Sequence, residues 1–75
     1  MDAARHLRKR SFQLAGHRTS VALEPAFWAV LEATAERRGL SLAALVTEVD
    51  VARVDAAQPL ASALRLHALD EARRA

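Results

Sequence analysis

The chain has 75 residues, so it is expected to form one domain with room for only a small core. Domains of this size often depend on disulfides, a metal or a partner subunit, and the absence of cysteine excludes disulfides and thiolate metal sites. The histidines are far apart in the sequence and fall in different predicted elements, which argues against a zinc cluster. We expect no metal or other cofactor, and association with a second copy is the remaining route to stability.

The net charge of +2 is unevenly distributed. Residues 1–18 contain five basic residues and one acid, a net +4, whereas residues 19–75 contain six arginines and eight acids, a net −2. A basic segment of this kind is an electrostatic footprint for a polyanion, although it can equally be a solvated terminus that aids solubility. We expect residues 1–10 to form a flexible basic arm and residues 11–75 to form a single domain.

No apolar run approaches the roughly 18 residues of a membrane-spanning segment. The basic N-terminus is not followed by the apolar core of a signal peptide. We therefore expect a cytoplasmic protein with no membrane partner.

The segment HRTSVAL, about residues 17–23, alternates in polarity and predicts one β-strand in a chain that otherwise has helical patterns. The side chains expected to face a core are Thr19, Val21 and Leu23. Those expected on the opposite face are Arg18, Ser20 and Ala22. The preceding SFQLAG alternates in a similar way, so an earlier start interrupted at Gly16 is a second interpretation.

Three helices are predicted after this strand, at about residues 25–38, 41–52 and 59–73. Proline suits the first position of the first and third helices, Gly39 suits a left-handed C-cap, and Ser41 suits an N-cap. The third helix is apolar around most of its circumference, so it should be covered on more than one side, most simply by another subunit. The predicted fold class is mainly α with one N-terminal β-strand.

An isolated strand leaves its backbone N–H and C=O groups unpaired. The chain offers no second strand of comparable quality, so we expect the same strand of a second copy to pair with it antiparallel in a two-fold dimer. Arg65 is expected to pair with Glu48 or Asp50 across this dimer. The expected dimer core consists of Thr19, Val21, Leu23, Trp28, Leu31, Leu45, Val46, Val49 and Leu64.

The polar face of such a ribbon suits DNA, because the major groove admits a two-stranded β-ribbon. Arg18 could donate to a guanine edge or a phosphate, or pair with an acid in a purely structural role. Ser20 could bond to several bases, and Ala22 offers only apolar contact with a thymine methyl group. The lack of a hydrogen-bonding group at Ala22 weighs against tight base-specific recognition.

The strand, the LEP break, the helix, the RRGLS corner and the second helix together resemble the ribbon-helix-helix (MetJ/Arc-type) superfamily of dimeric DNA-binding proteins. With the segment LASALRLHALDEARR, the chain is similar over about residues 11–73 to a bacterial ribbon-helix-helix domain group with an additional C-terminal helix. The resemblance implies an intertwined homodimer with an intermolecular antiparallel two-stranded ribbon. It implies that the groove is faced by Arg18, Ser20 and Ala22.

The resemblance also implies a phosphate contact at the start of the second helix, which agrees with the affinity of helix N-termini for anions. Its backbone N–H groups belong to Leu40, Ser41 and Leu42. Further phosphate contacts are expected from Arg8, Lys9, Arg10 and His17.

We therefore predict a dimeric, sequence-specific, double-stranded DNA-binding protein, nucleoid-associated and regulating transcription. The alternative is a protein-interaction module of the same fold, an antitoxin or adaptor, with weak or no DNA binding. No nucleophile lies beside a base and no paired carboxylates are flanked by glycine-rich loops, so we expect no enzymatic activity and no cleft in so small a domain.

Overall fold

A computed structural model describes residues 6–53, 55 and 57–74, so residues 1–5 of the predicted basic arm lie outside the described residues. The elements in chain order are β1 (Arg8–Leu14), β2 (His17–Leu23), α1 (Pro25–Arg38), α2 (Leu42–Ala52) and α3 (Leu60–Arg74). The two strands form one antiparallel sheet, and the rest of the described fold is helical. The predicted fold class, mainly α with an N-terminal ribbon and a third C-terminal helix, is confirmed, although two strands stand where one was predicted; the homodimer stays a prediction.

Both strands of the ribbon come from the same chain. β1 pairs with β2 along its whole length, from Arg8 opposite Leu23 to Leu14 opposite His17. This differs from the expected ribbon, whose second strand belongs to another copy, and it places residues 8–10 in a strand rather than in a flexible arm. The sequence does not indicate β1 strongly because its first three residues are all basic and give no apolar alternation.

A two-residue turn, Ala15 and Gly16, joins the strands. Their φ angles are 52° and 82°, and positive φ at both central positions is typical of the type I′ turn, whose twist matches that of a hairpin. Glycine adopts this conformation readily, whereas the left-handed region costs an alanine roughly 1–2 kcal/mol. The hairpin therefore forms despite an unfavourable residue at its turn.

Trp28 of α1 fastens β1 to the helical layer. Its indole Nε1 donates a 2.8 Å hydrogen bond to the carbonyl oxygen of Arg8, and the ring of Phe12 lies 6.0 Å from the Trp28 ring. The guanidinium of Arg10 lies 5.0 Å from the same ring and forms a 2.7 Å ion pair with Glu32. Trp28 is buried, and its one polar atom is satisfied by the strand it holds.

The hydrophobic core lies between the inner face of the ribbon and the three helices. Of the nine residues expected in a dimer core, eight are buried within this single chain, and Thr19 is half-buried. α3 packs against α1, α2 and β2, burying Leu64 and Ala68. β1 thus supplies the strand partner that we expected from a second subunit, while a dimer role for these core residues stays a prediction.

The corner between α1 and α2 is closed by Gly39, whose φ is 71°. Its N–H donates to the carbonyl of Glu36 at 3.1 Å, and the N–H of Leu40 donates to the carbonyl of Ala35 at 2.8 Å. This pair of bonds is the Schellman motif, which satisfies carbonyls that a helix end leaves unpaired. The short connection therefore sets the direction in which α2 leaves.

Ion pairs tie α3 and α2 to α1. Arg65 donates through Nε to Glu24, the residue before α1, at 2.9 Å; within the chain it does not pair with Glu48 or Asp50, and a pair across a dimer stays a prediction. The hydrogen bond from Arg65 lowers the pKa of the Glu24 carboxyl below its ordinary value. Glu48 instead accepts two hydrogen bonds from Arg38, at 2.7 and 3.0 Å.

α3 is covered on one side only. Leu66 and Leu69 remain 58% and 46% exposed, and residues three apart share a helix face. The outer side of α3 therefore presents two large apolar side chains to solvent in the single chain.

Within the described part of the chain, none of the helices combines the length and the apolar character needed to cross a membrane.

Candidate nucleic-acid interface

The outward face of the hairpin carries three cross-strand pairs. Opposed residues of an antiparallel pair point to the same side, and side chains alternate between the faces along each strand. The inner face is identified by the buried Leu14, Val21 and Leu23. The pairs on the outer face are Lys9 with Ala22, Ser11 with Ser20, and Gln13 with Arg18.

The end of this face next to the turn carries Gln13 and Arg18, both exposed. Opposed Cβ atoms of an antiparallel pair lie about 4.5–5.5 Å apart. A glutamine amide can bond to both adenine N6 and N7, and an arginine can bond to both guanine O6 and N7. Two side chains suited to recognising base edges therefore stand side by side at one end of the ribbon.

The middle of the face consists of two small hydroxyl residues. The Oγ atoms of Ser11 and Ser20 lie 2.8 Å apart and share a hydrogen bond. One hydroxyl donates to the other, and the second hydroxyl keeps its own donor. Ser20, an expected groove contact, is thus exposed but already has one partner.

The far end of the face pairs Ala22 with Lys9. Ala22 is half-buried and Lys9 is exposed. Lys9 supplies across the strand the hydrogen-bonding group that Ala22 lacks. The whole face contains two cations, Lys9 and Arg18, and no acid, so its local charge suits a polyanion.

The other cations expected to contact phosphate are placed differently. Arg10 is opposite Val21 on the inner side of the ribbon and is engaged with Glu32 and the Trp28 ring. Arg8 and His17 are exposed at opposite ends of the hairpin. Lys9 is therefore the only one of the four that lies on the outward face, and Arg10 is held by α1.

The N-terminus of α2 offers a different set of amides to an anion from the expected one. The N–H of Leu40 is engaged in the corner that closes α1, and Ser41 uses its hydroxyl to accept a 3.0 Å bond from the N–H of Ala44. The first four amides of a helix have no intrahelical acceptor, and here, with the Ala44 N–H bonded to Ser41, the remaining ones are the N–H groups of Ser41, Leu42 and Ala43. A phosphate contact at this end would use those three amides and not that of Leu40.

A cleft of about 650 Å³ lies between the end of α1, α2 and α3, although we expected none. It is lined by Arg37, Arg38, Glu48, His67, Asp70, Glu71 and Arg74. Arg37 pairs with Glu71 at 2.7 Å, and this hydrogen bond lowers the pKa of the Glu71 carboxyl. Three arginines face three acids, so the cleft has no net charge that would attract a polyanion, and its ion pairs brace the helices.

The described residues contain no group of three or more histidine, aspartate and glutamate side chains able to hold a metal ion. Of the six residues on the outward face, Arg18, Ser20 and Ala22 were expected at the groove and Lys9 at a phosphate. Ser11 and Gln13 were missed, although the alternation in SFQL was the signal that could have identified them.

A family model described as a ribbon-helix-helix domain matches residues 7–72, a range that contains both strands and all of α3 except its last two residues. Neither the curated proteins nor the solved structures gives a match. The matched range begins just before β1, so the strand that the sequence indicated only weakly lies inside the family domain.

Proposed function

Because the chain belongs to the ribbon-helix-helix domain family, whose members are typically DNA-binding regulators, we propose that it binds double-stranded DNA and regulates transcription. The observation that carries this proposal is the outward face of the hairpin, with two cations, three other hydrogen-bonding side chains and no acid. A major groove about 12 Å wide admits a two-stranded ribbon. The chain would act on the nucleoid in the cytoplasm.

The proposed mechanism separates positioning from recognition. The outward face enters the groove, where Arg18 and Ser20 contact base edges and Ala22 contacts a thymine methyl group. Arg8, Lys9, His17 and the first amides of α2 contact phosphates, and the basic residues from 5 to 10 add nonspecific attraction. Arg10 contributes only to the long-range electrostatic attraction and makes no direct phosphate contact, since Glu32 already pairs with it.

The buried side of the ribbon supports this mechanism. Val21 and Leu23 are anchored in the core, and Trp28 holds the backbone of β1 at Arg8. The hairpin is therefore ordered before DNA arrives. A preformed surface loses less conformational entropy on binding than a flexible arm does.

We propose that the protein is a homodimer joined through its helices. Pairing β2 with the β2 of a second copy would give a four-stranded sheet whose outer strands lie about 14 Å apart at about 4.8 Å per step. That sheet is too wide for a groove about 12 Å across. Covering Leu66 and Leu69 of α3 with a second copy would bury exposed apolar surface and leave both ribbons accessible.

Sedimentation at micromolar concentration tests the dimer. We expect a species of twice the 8.2 kDa chain mass. A stably folded monomer under these conditions would refute the dimer, while leaving DNA binding by a single ribbon to be judged by its own measurement.

Substitution of Arg18 tests the DNA mechanism. Arg18→Ala should weaken binding by about 1–3 kcal/mol if the side chain contacts a base, or reduce the salt slope by about 1 if it contacts a phosphate. Arg73→Ala, an exposed arginine in the last turn of α3, is the matched control for the loss of one charge. The mechanism is wrong if Arg18→Ala binds DNA as the parent does, with unchanged salt dependence.

A second candidate function is a protein-interaction module of the same fold, an antitoxin or an adaptor. The exposed Val51 of α2 and the exposed Leu66 and Leu69 of α3 favour it, because large exposed apolar side chains suit a protein partner. Copurification of a partner protein together with no retention on DNA would support this function over the first.

A further inference from the structure

We propose that Arg65 of α3 is a positioning residue for DNA binding, which acts through Glu24 at the junction between β2 and α1. The proposal rests on the proposed DNA binding and concerns how the orientation of β2 relative to the helices is set. Arg65 holds the junction and does not itself contact DNA.

Glu24 is the single residue between the last residue of β2, Leu23, and the first residue of α1, Pro25. Its φ and ψ of −60° and 145° are extended, as the residue before a proline prefers. Its carbonyl oxygen accepts hydrogen bonds from the N–H groups of Phe27 and Trp28, at 3.0 and 3.3 Å. The direction in which β2 meets α1 is therefore set at this one residue.

The side chain of Glu24 does not cap the helix that it precedes. An N-cap side chain ordinarily accepts a hydrogen bond from a backbone N–H of the first turn, but that of Glu24 accepts none there. Its Oε1 instead accepts a 2.9 Å hydrogen bond from Nε of Arg65, which is 41 residues away in the sequence. The side chain at the junction is thus held by α3.

Arg65 is well placed to hold the junction because α3 is itself fixed. Its neighbours Leu64 and Ala68 are buried, and α3 packs against both α1 and β2. The guanidinium carbon of Arg65 lies 5.9 Å from the centre of the Phe27 ring, within the roughly 6 Å range of a cation–π contact. Arg65 therefore contacts two residues at the start of α1 from a helix that is anchored in the core.

A small rotation at Glu24 would displace β2 by a distance that matters for recognition. The strand has seven residues and is roughly 20 Å long at about 3.4 Å per residue. A rotation of about 10° at one end of such a strand moves the other end by about 3.5 Å. A binding surface must be held to within about 0.5 Å, so a contact that restricts Glu24 affects how the ribbon fits DNA.

The pair of Arg65 and Glu24 should affect DNA binding more clearly than it affects stability. The two side chains are 31% and 36% exposed, and exposed ion pairs contribute little to the free energy of unfolding. A preference of that size changes the population of one ribbon orientation, and hence the apparent affinity, by about two- to fivefold. Loss of the pair should therefore leave the fold intact and weaken DNA binding by this factor.

The test measures the affinity of the full chain for a duplex that the parent enriches from random DNA, at several salt concentrations. The variants are Glu24→Gln, Arg65→Gln and the two combined. Glu24→Gln removes a negative charge, so electrostatic attraction alone predicts tighter binding. Positioning predicts the opposite, a two- to fivefold weaker affinity with the salt slope of the parent. The double variant should lose no more than either single variant, because both substitutions remove the same interaction.

Glu48→Gln is the matched control, since it removes the same charge from an ion pair with Arg38 that lies away from the junction. It should bind DNA at least as tightly as the parent does. Melting curves followed by circular dichroism check that each variant is folded at the temperature of the binding assay.

The proposal is overturned if folded Glu24→Gln binds DNA as tightly as the parent or more tightly. It is also overturned if Arg65→Gln weakens binding further in the Glu24→Gln background and reduces the salt slope by about 1, because Arg65 would then contact a phosphate directly. Either result leaves DNA binding by the parent intact. If the parent retains no DNA at any salt concentration, both the proposal and the proposed function fail.

Discussion

Replacing Ala15 by asparagine should stabilise the protein, because this alanine occupies a left-handed conformation, with φ of 52°. That conformation costs an L-alanine roughly 1–2 kcal/mol, whereas asparagine followed by glycine is a preferred sequence for a type I′ turn. Relief of the lower end of this cost gives a gain of about 1 kcal/mol. For a domain of this size, the corresponding rise in melting temperature is about 4–8 °C.

Thermal and urea denaturation followed by circular dichroism measure this gain. Ala57→Asn, in the exposed loop before α3, controls for a general effect of asparagine. Gly16→Ala should have the opposite effect, a loss of about 1 kcal/mol: a Cβ at Gly16 would meet no atom within 4 Å, so only the backbone conformation, with φ of 82°, is unfavourable. If neither turn substitution changes the stability, the ribbon is not a hairpin within one chain.

Three other substitutions test the supports of the fold. Trp28→Phe removes the hydrogen bond to the carbonyl of Arg8 and should lower the free energy of unfolding by about 1 kcal/mol in urea titrations; an unchanged midpoint would show that this bond does not hold β1. Ser41→Ala removes the N-cap of α2 and should cost about 1 kcal/mol, with Ser41→Asp restoring the stability. Arg38 lowers the pKa of the Glu48 carboxyl from its ordinary value of 4.5, so this pair stabilises the fold above that pH and the contribution is lost as the pH falls through the lowered pKa. Glu48→Gln should therefore make the free energy of unfolding depend less on pH in the acid range. An unchanged pH dependence of this free energy in the acid range would contradict the assignment.

Most of the fold could be predicted because each helix and β2 carries a local signal. These signals are the alternation in HRTSVAL, the proline at the start of α1 and the glycine after α1. Each of them involves only a few neighbouring residues. β1 has a weaker signal, since its basic first half has no apolar alternation and is held by Trp28, which lies 20 residues away from Arg8. A long-range contact of this kind leaves no periodic trace in the sequence.

The groove-facing residues were predicted only on one strand for the same reason. Arg18, Ser20 and Ala22 follow from the period of β2, but Gln13 and Ser11 join them only once the register of the hairpin is known. The phosphate role of Leu40 was weakened by a backbone bond to Ala35 that depends on the geometry of the corner. Ala22, which argued against base recognition, has Lys9 as its neighbour across the ribbon.

The measurement that tests the central claim most directly is the affinity of the parent protein for double-stranded DNA as a function of salt concentration. Binding through a cationic ribbon and phosphate contacts predicts that log affinity falls linearly with log salt, with a slope of about −0.9 for each phosphate neutralised. Absence of DNA binding at low salt, or an affinity that does not change with salt, would contradict the account.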